Sequence, residues 1–239
     1  MSALLADLTW PDAERAAADA VLAVPMGSTE QHGPHLPLST DTDIAVALVE
    51  RLAARRHDVV AAPAVAYGSS GEHDGFAGTL SIGREATELL LVELGRSASA
   101  TFAAVVLVSA HGGNRVPVER AERRLRAEGR RVLAVFPRWP GDAHAGRVET
   151  SLMLALHPDR VRRELAQAGA TAPIDELMPR LAAGGVRPVS ANGVLGDPAG
   201  ADAAEGRRLL DRAVEDLDRA VGAIGARGPA ADGWSARRA

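Results

Sequence analysis

The chain reads as an α/β protein, a layered sandwich with a mostly parallel central sheet flanked by helices. Short apolar runs alternate along it with longer amphipathic stretches. The runs are apolar throughout, as in strands covered on both faces, instead of alternating apolar with polar. At 239 residues and 46% hydrophobic, the chain suffices for one well-packed domain and is too short for two full ones.

Val21–Gly27 (VLAVPMG) predicts a buried strand, and Asp43–Arg55 a helix. Val59–Val65 (VVAAPAV) predicts the second strand, followed by a loop over Tyr67–Thr79 with glycines at 68, 71, 75 and 78. Arg84–Thr101 predicts a helix, Ala104–Ala110 (AVVLVSA) the third strand and Val116–Glu128 a helix. Arg131–Phe136 predicts the fourth strand, and Pro137–Gly146 is rich in proline and glycine. Helices are expected near Val148–Leu156 and Ala203–Ile224, with loop over Gly184–Ala201. Residues 1–226 are expected to form one domain and 227–239 a disordered tail.

Composition excludes several chemistries. There is no cysteine, hence no thiol nucleophile, disulfide or thiolate metal site. There is no lysine, which removes Schiff-base and Walker-type phosphate chemistry. A net charge of −4 with interspersed arginines and acids, and only 3% aromatics, gives no footprint for nucleic acid. The N-terminus lacks the pattern of a signal peptide, and no apolar run reaches membrane-spanning length, so a soluble, cytoplasmic protein is expected. No GxSxG elbow, GxGxxG fingerprint or HExxH helix occurs.

Ligands of open parallel sheets bind beyond the carboxyl ends of the strands. Four polar clusters fall there: Glu30, His32 and Asp41 after the first strand, Glu72-His73-Asp74 after the second, His111 and Asn114 after the third, His144 and Glu149 after the fourth. Without cysteine, a metal must sit on His, Asp and Glu, a donor set that suits Zn²⁺, Mn²⁺ or Fe²⁺. Glu30 and His32 would point to opposite sides of an extended loop, but the Gly33-Pro34 turn can bend them toward two metals. Asp41, near the start of a helix, is placed either to bridge two cations or to cap the helix. His111 precedes Gly112 and Gly113, whose amides could approach a substrate oxygen closely. His144 on its loop suits a general acid or base, and Glu149 either completes a metal site or favours the helix dipole. His73 is either a substrate contact or part of a solvated loop.

The segments GSTEQHGPHLPLSTD, YGSSGEHDGFAGTLSI, SAHGGN and HAGRVETSLML, in that order and spacing, resemble the creatininase family of metal-dependent amidohydrolases. The resemblance implies a dinuclear centre in a homo-oligomer, often a hexamer. Glu30, His32, Asp41 and His111 match its metal ligands, with Asp41 as the bridge, and His144 matches a catalytic histidine. In creatininase itself an acidic ligand follows the equivalent of His111 by two residues, where this chain has Gly113. Glu149 is the candidate replacement, and the difference argues against creatinine as substrate. The chain is most similar to the branch serving mycofactocin biosynthesis, through PIDELMPRLAAGGVRPVS and GVLGDP to about Leu210. That likeness implies a peptidase acting on a ribosomal precursor peptide, releasing its modified C-terminal Val-Tyr unit. Other branches imply a small cyclic amide or formamide as substrate, and a peptide-binding scaffold is the rival outside enzymology.

Overall fold

The computed structural model describes residues 3–17 and 19–225; the tail expected to be disordered lies outside them. Five strands form one parallel sheet: β1 (Ala3–Leu4), β2 (Val21–Met26), β3 (Val59–Ala61), β4 (Ala104–Ser109) and β5 (Val132–Val135), in the order β1-β3-β2-β4-β5. The helices are α1 (Trp10–Ala17), α2 (Thr40–Arg55), α3 (Gly83–Ala98), α4 (Arg115–Ala127), α5 (Arg147–Leu156), α6 (Ile174–Gly184) and α7 (Ala203–Gly225). All six residues of β2 and of β4 are buried, which explains why those segments read as unbroken apolar runs.

Side chains alternate across the sheet and build two cores. Val21, Ala23, Val106 and Val108 pack with Leu48 and Leu52 of α2, Leu152 of α5 and Leu210 and Leu217 of α7. Leu22, Val24, Val105 and Leu107 pack on the other face with Leu91 of α3 and Val118, Ala121 and Leu125 of α4. The result is a three-layer α/β/α sandwich.

β3 stops at Ala61 instead of running to Val65 as expected, and a single bridge between Met26 and Val65 follows. Two prolines explain this. Pro63 has no N–H, and Pro25 lacks one where β3 would have paired beside it; the ladder resumes only where Val65 N–H donates to Pro25 O at 2.9 Å. The sequence reading also lacks β1, α1 and α6. β1 is two residues long, and α6 carries Pro179 in its interior, a residue that argues against a helix.

β2 neighbours β3 on one side and β4 on the other, so the loops leaving β2 and β4 diverge and open a crevice at the carboxyl edge. Among the described residues, no helix is long and apolar enough to cross a membrane.

Candidate metal centre

The loop after β2 is drawn tightly onto its own helix. A Cβ on Gly27 would lie 2.3 Å from the backbone nitrogen of Thr42, so only glycine lets the start of α2 approach the strand end this closely. The approach carries Asp41 beneath the crevice. Asp41 is buried in the first turn of α2, just past the cap residue Ser39, so it is not the helix cap; it accepts from Ser28 Oγ at 2.5 Å. Asn114 ties the neighbouring loops: its amide donates to Gly27 O at 2.9 Å and accepts from Ser69 N–H at 2.9 Å.

Two histidines have their outer nitrogens held by backbone carbonyls. His32 Nδ1 donates to Glu30 O at 3.2 Å, and His111 Nε2 donates to Ser69 O at 2.9 Å. In the neutral rings the other nitrogens carry lone pairs, and these point at carboxylates. His32 Nε2 is 3.2 Å from Asp41 Oδ1 and 3.8 Å from Glu149 Oε2. His111 Nδ1 is 3.2 Å from Asp41 Oδ2 and 3.2 Å from Glu30 Oε1. Lone pairs facing carboxylates in a buried place need a cation in each gap, a proton or a metal ion. A proton accounts for the His32–Asp41 gap, which has hydrogen-bond geometry, but not for the gap beside His111, where both Glu30 oxygens are buried with no hydrogen-bond partner. Donor atoms sharing one zinc at about 2.0–2.2 Å stand roughly 3–3.5 Å apart, which is the spacing found here. The residues present fit divalent metals.

The electrostatics agree. Burial opposes a charged imidazolium, but Asp41, Glu149 and Glu30 outweigh it and hold His32 up at about 10. His111 is raised in the same way against its burial, by Glu30 and Asp41. Burial pushes Glu149 up to about 7. Both imidazoles are drawn toward the charged form by the carboxylates they face, so each gap favours a positive charge.

All four sheet-edge loops deliver side chains to this place. Glu30, Asp41 and His111 form one group whose donor atoms lie within 4.8 Å of each other; His32, His144 and Glu149 form a second, and Glu30, His73 and His144 a third. Glu149 also accepts from the Ala145 N–H at 2.6 Å, so it braces the loop before α5 as well as facing His32. His73 is buried 3.2 Å from Glu30, not in a solvated loop. Gly112 borders open space. Gly113 does not, since a Cβ there would meet Glu72 Oε1 at 2.1 Å and His111 Nε2 at 2.5 Å.

The sequence reading missed two supports. Gln31 is buried among His73, His144 and Gly193. The loop over 190–197, read only as irregular, pairs Leu195 with His144 through Leu195 N–H to His144 O at 2.9 Å. Its signal was weak: a glutamine between two candidate ligands, and glycines at 193 and 196 whose missing side chains admit Gln31 and Asp142.

Sheet edge and buried carboxylate–imidazole cluster together define an α/β protein built to take divalent cations, a class that includes metal-dependent hydrolases. The chain belongs to the creatininase family: residues 6–221 match the family model described as creatinine amidohydrolase. It is 50% identical over 210 residues to the mycofactocin precursor peptide peptidase of Mycobacterium tuberculosis (strain CDC 1551 / Oshkosh), covering 84% of each chain. It is 54% identical over 196 residues to the protein of that name in Mycolicibacterium smegmatis, covering 80% of this chain and 79% of the other. A solved creatininase described as the manganese form superposes with a TM-score of 0.80 at 26% identity, covering 95% of this chain and 100% of that one. The layered α/β fold and the family expected from the motifs are therefore both observed.

Proposed function

We propose that this chain is a metal-dependent peptidase of mycofactocin biosynthesis, hydrolysing the modified precursor peptide to release its C-terminal modified Val-Tyr unit. The observation that carries a hydrolytic centre is the pair of inward imidazole lone pairs facing two buried carboxylates, Glu30 and Asp41, and the partly buried Glu149. Relatives about half identical over most of the chain, and named for that peptidase, support the substrate.

In this reading Glu30, Asp41 and His111 hold one ion, and His32, Asp41 and Glu149 the other, with Asp41 shared. The ions would be zinc or ferrous iron, with manganese a third choice. When bound they supply Lewis acidity, polarising an amide carbonyl and acidifying water. His144 presents Nδ1 to the cluster, 3.9 Å from Glu30 Oε1, and passes a proton to the leaving nitrogen. The open face of Gly112 admits the carbonyl of the scissile bond, and His73 helps to hold the substrate. The chain acts in the cytoplasm as a homo-oligomer, a hexamer by family resemblance. Leu89 and Leu90 on α3 and Val116 on α4 are exposed apolar side chains of the kind a second copy would cover.

The test is mass spectrometry of products from enzyme reloaded with Zn²⁺ or Fe²⁺ and given precursor peptide already carrying the modified Val-Tyr. Release of the modified dipeptide, stopped by chelator, is expected. Intact peptide with folded, metal-loaded protein would refute the peptidase reading and turn the search to small cyclic amides.

A further inference from the structure

Gln31 lies between two proposed ligands in the chain, but its buried side chain reaches neither of them. Its Oε1 accepts from the Gly33 N–H at 2.8 Å, and its Nε2 stands 3.1 Å from Gly193 O. Those two backbone groups orient the amide, because a carbonyl cannot face Gly193 O, nor an amino group the Gly33 N–H. Nε2 has two hydrogens. One goes to Gly193 O, and the other has two possible takers: His73 Nδ1 at 2.8 Å and His144 Nε2 at 3.0 Å.

The backbone decides between them. His144 Nε2 is also 2.9 Å from the backbone carbonyl of Gln31, which can only accept. With a proton on His144 Nε2, that carbonyl is satisfied and the remaining amide hydrogen goes to His73 Nδ1. The opposite choice sets two lone pairs face to face at this distance and leaves His73 Nδ1 without a donor, a costly arrangement in a buried place.

We propose that Gln31 is a positioning residue that fixes both histidines as Nε2–H tautomers, so that His144 offers a lone pair and His73 an N–H to the same carboxylate cluster. His144 Nδ1 is then bare on the side of Glu30, and His73 carries its hydrogen on Nε2, 3.2 Å from Glu30 Oε1 but not aligned for a hydrogen bond to it. Two consequences follow. The Glu30, His73 and His144 group, although its atoms lie within metal-binding distance, is not a cation site, because the inward nitrogen of His73 carries hydrogen. And the bare nitrogen of His144 is kept available for proton transfer. Only this second consequence rests on the peptidase reading.

The test is the two-bond proton–nitrogen correlation spectrum of zinc-loaded, histidine-labelled protein, with the resonances assigned through His73→Ala and His144→Ala. Protonated Nε2 on both rings is expected. Gln31→Met, which keeps the shape and removes the amide, should leave His73 in mixed tautomers. It should retain the metals and lower kcat about 10–100-fold, the usual cost of an outer-shell partner. Gln31→Glu, which replaces the donor by an acceptor, should turn His73 to the Nδ1–H form. A native His144 protonated on Nδ1, or unchanged tautomers in the variants, overturns the proposal. Should Gln31→Met fail to fold in thermal melts, the native spectrum and Gln31→Glu decide. Tautomers as stated with an intact peptide would defeat the peptidase reading and leave this one standing.

Discussion

Asp41 divides its two oxygens between two imidazoles, Oδ1 toward His32 and Oδ2 toward His111. A residue so placed is shared by both halves of the cluster. Asp41→Asn keeps the shape and removes the charge. Metal analysis of the purified variant should show both ions lost, and turnover should fall further than the roughly 10–100-fold of outer-shell changes. Full metal content in that variant would mean that Asp41 is not the bridge. His144 differs, because its Nε2 is engaged by Gln31 and its backbone by Leu195. His144→Ala should therefore keep the metals while kcat drops by about 10²–10⁴, the usual worth of a general acid or base. Undiminished turnover with metal bound would remove His144 from the chemistry. Residues of this kind are legible in sequence because the chemistry restricts them to a few types. The direction in which each lone pair faces is not, because it depends on carbonyls such as Ser69 O, 42 positions from His111.

Elements set the distances that single residues exploit. α2 begins against the end of β2 because Gly27 has no side chain to keep Thr42 away. Gly27→Ala should push the first turn of α2 outward and move Asp41 with it. Overpacking of this kind costs about 1–3 kcal/mol, so the urea midpoint should fall and metal affinity with it. An unchanged midpoint would show that the approach is not as tight as described. Strands β2 to β5 and most helices were readable from continuous apolar runs and amphipathic periods, to within a few residues at their ends. The exceptions have local causes. β3 is cut short by proline chemistry, and α6 is concealed by Pro179.

At the scale of the whole molecule, segments distant in the chain lock the centre together. His35, buried on the loop after β2, has Nε2 2.9 Å from Thr150 Oγ1 on α5, while its Nδ1 has no partner. Burial, aided by the nearby His32, depresses its pKa from 6.5 to about 4. Between those values the unfolded chain binds a proton that the folded chain refuses. Its contribution is thus complete above pH 6.5 and is lost as pH falls toward about 4, with a slope of at most about 1.4 kcal/mol per pH unit. Unfolding titrations of the native protein and His35→Gln across that range should show the shallower slope in the variant. Parallel slopes would mean that His35 does not contribute to acid sensitivity.

The amino-acid sequence by itself determined the sheet, the family and the set of ionisable side chains at one edge. Strand burial, loop position and donor type are all written within short stretches, so Glu30, His32, Asp41, His111, His144 and Glu149 could be singled out without coordinates. Only the tertiary structure decided how they are held. The brace of Leu195 on His144, the carboxylate of Glu72 over Gly113 and the amide of Gln31 between two rings all join segments far apart in the chain. Contacts of that kind leave no periodicity to read, because each depends on where the backbone returns, and that is set by packing of the complete core.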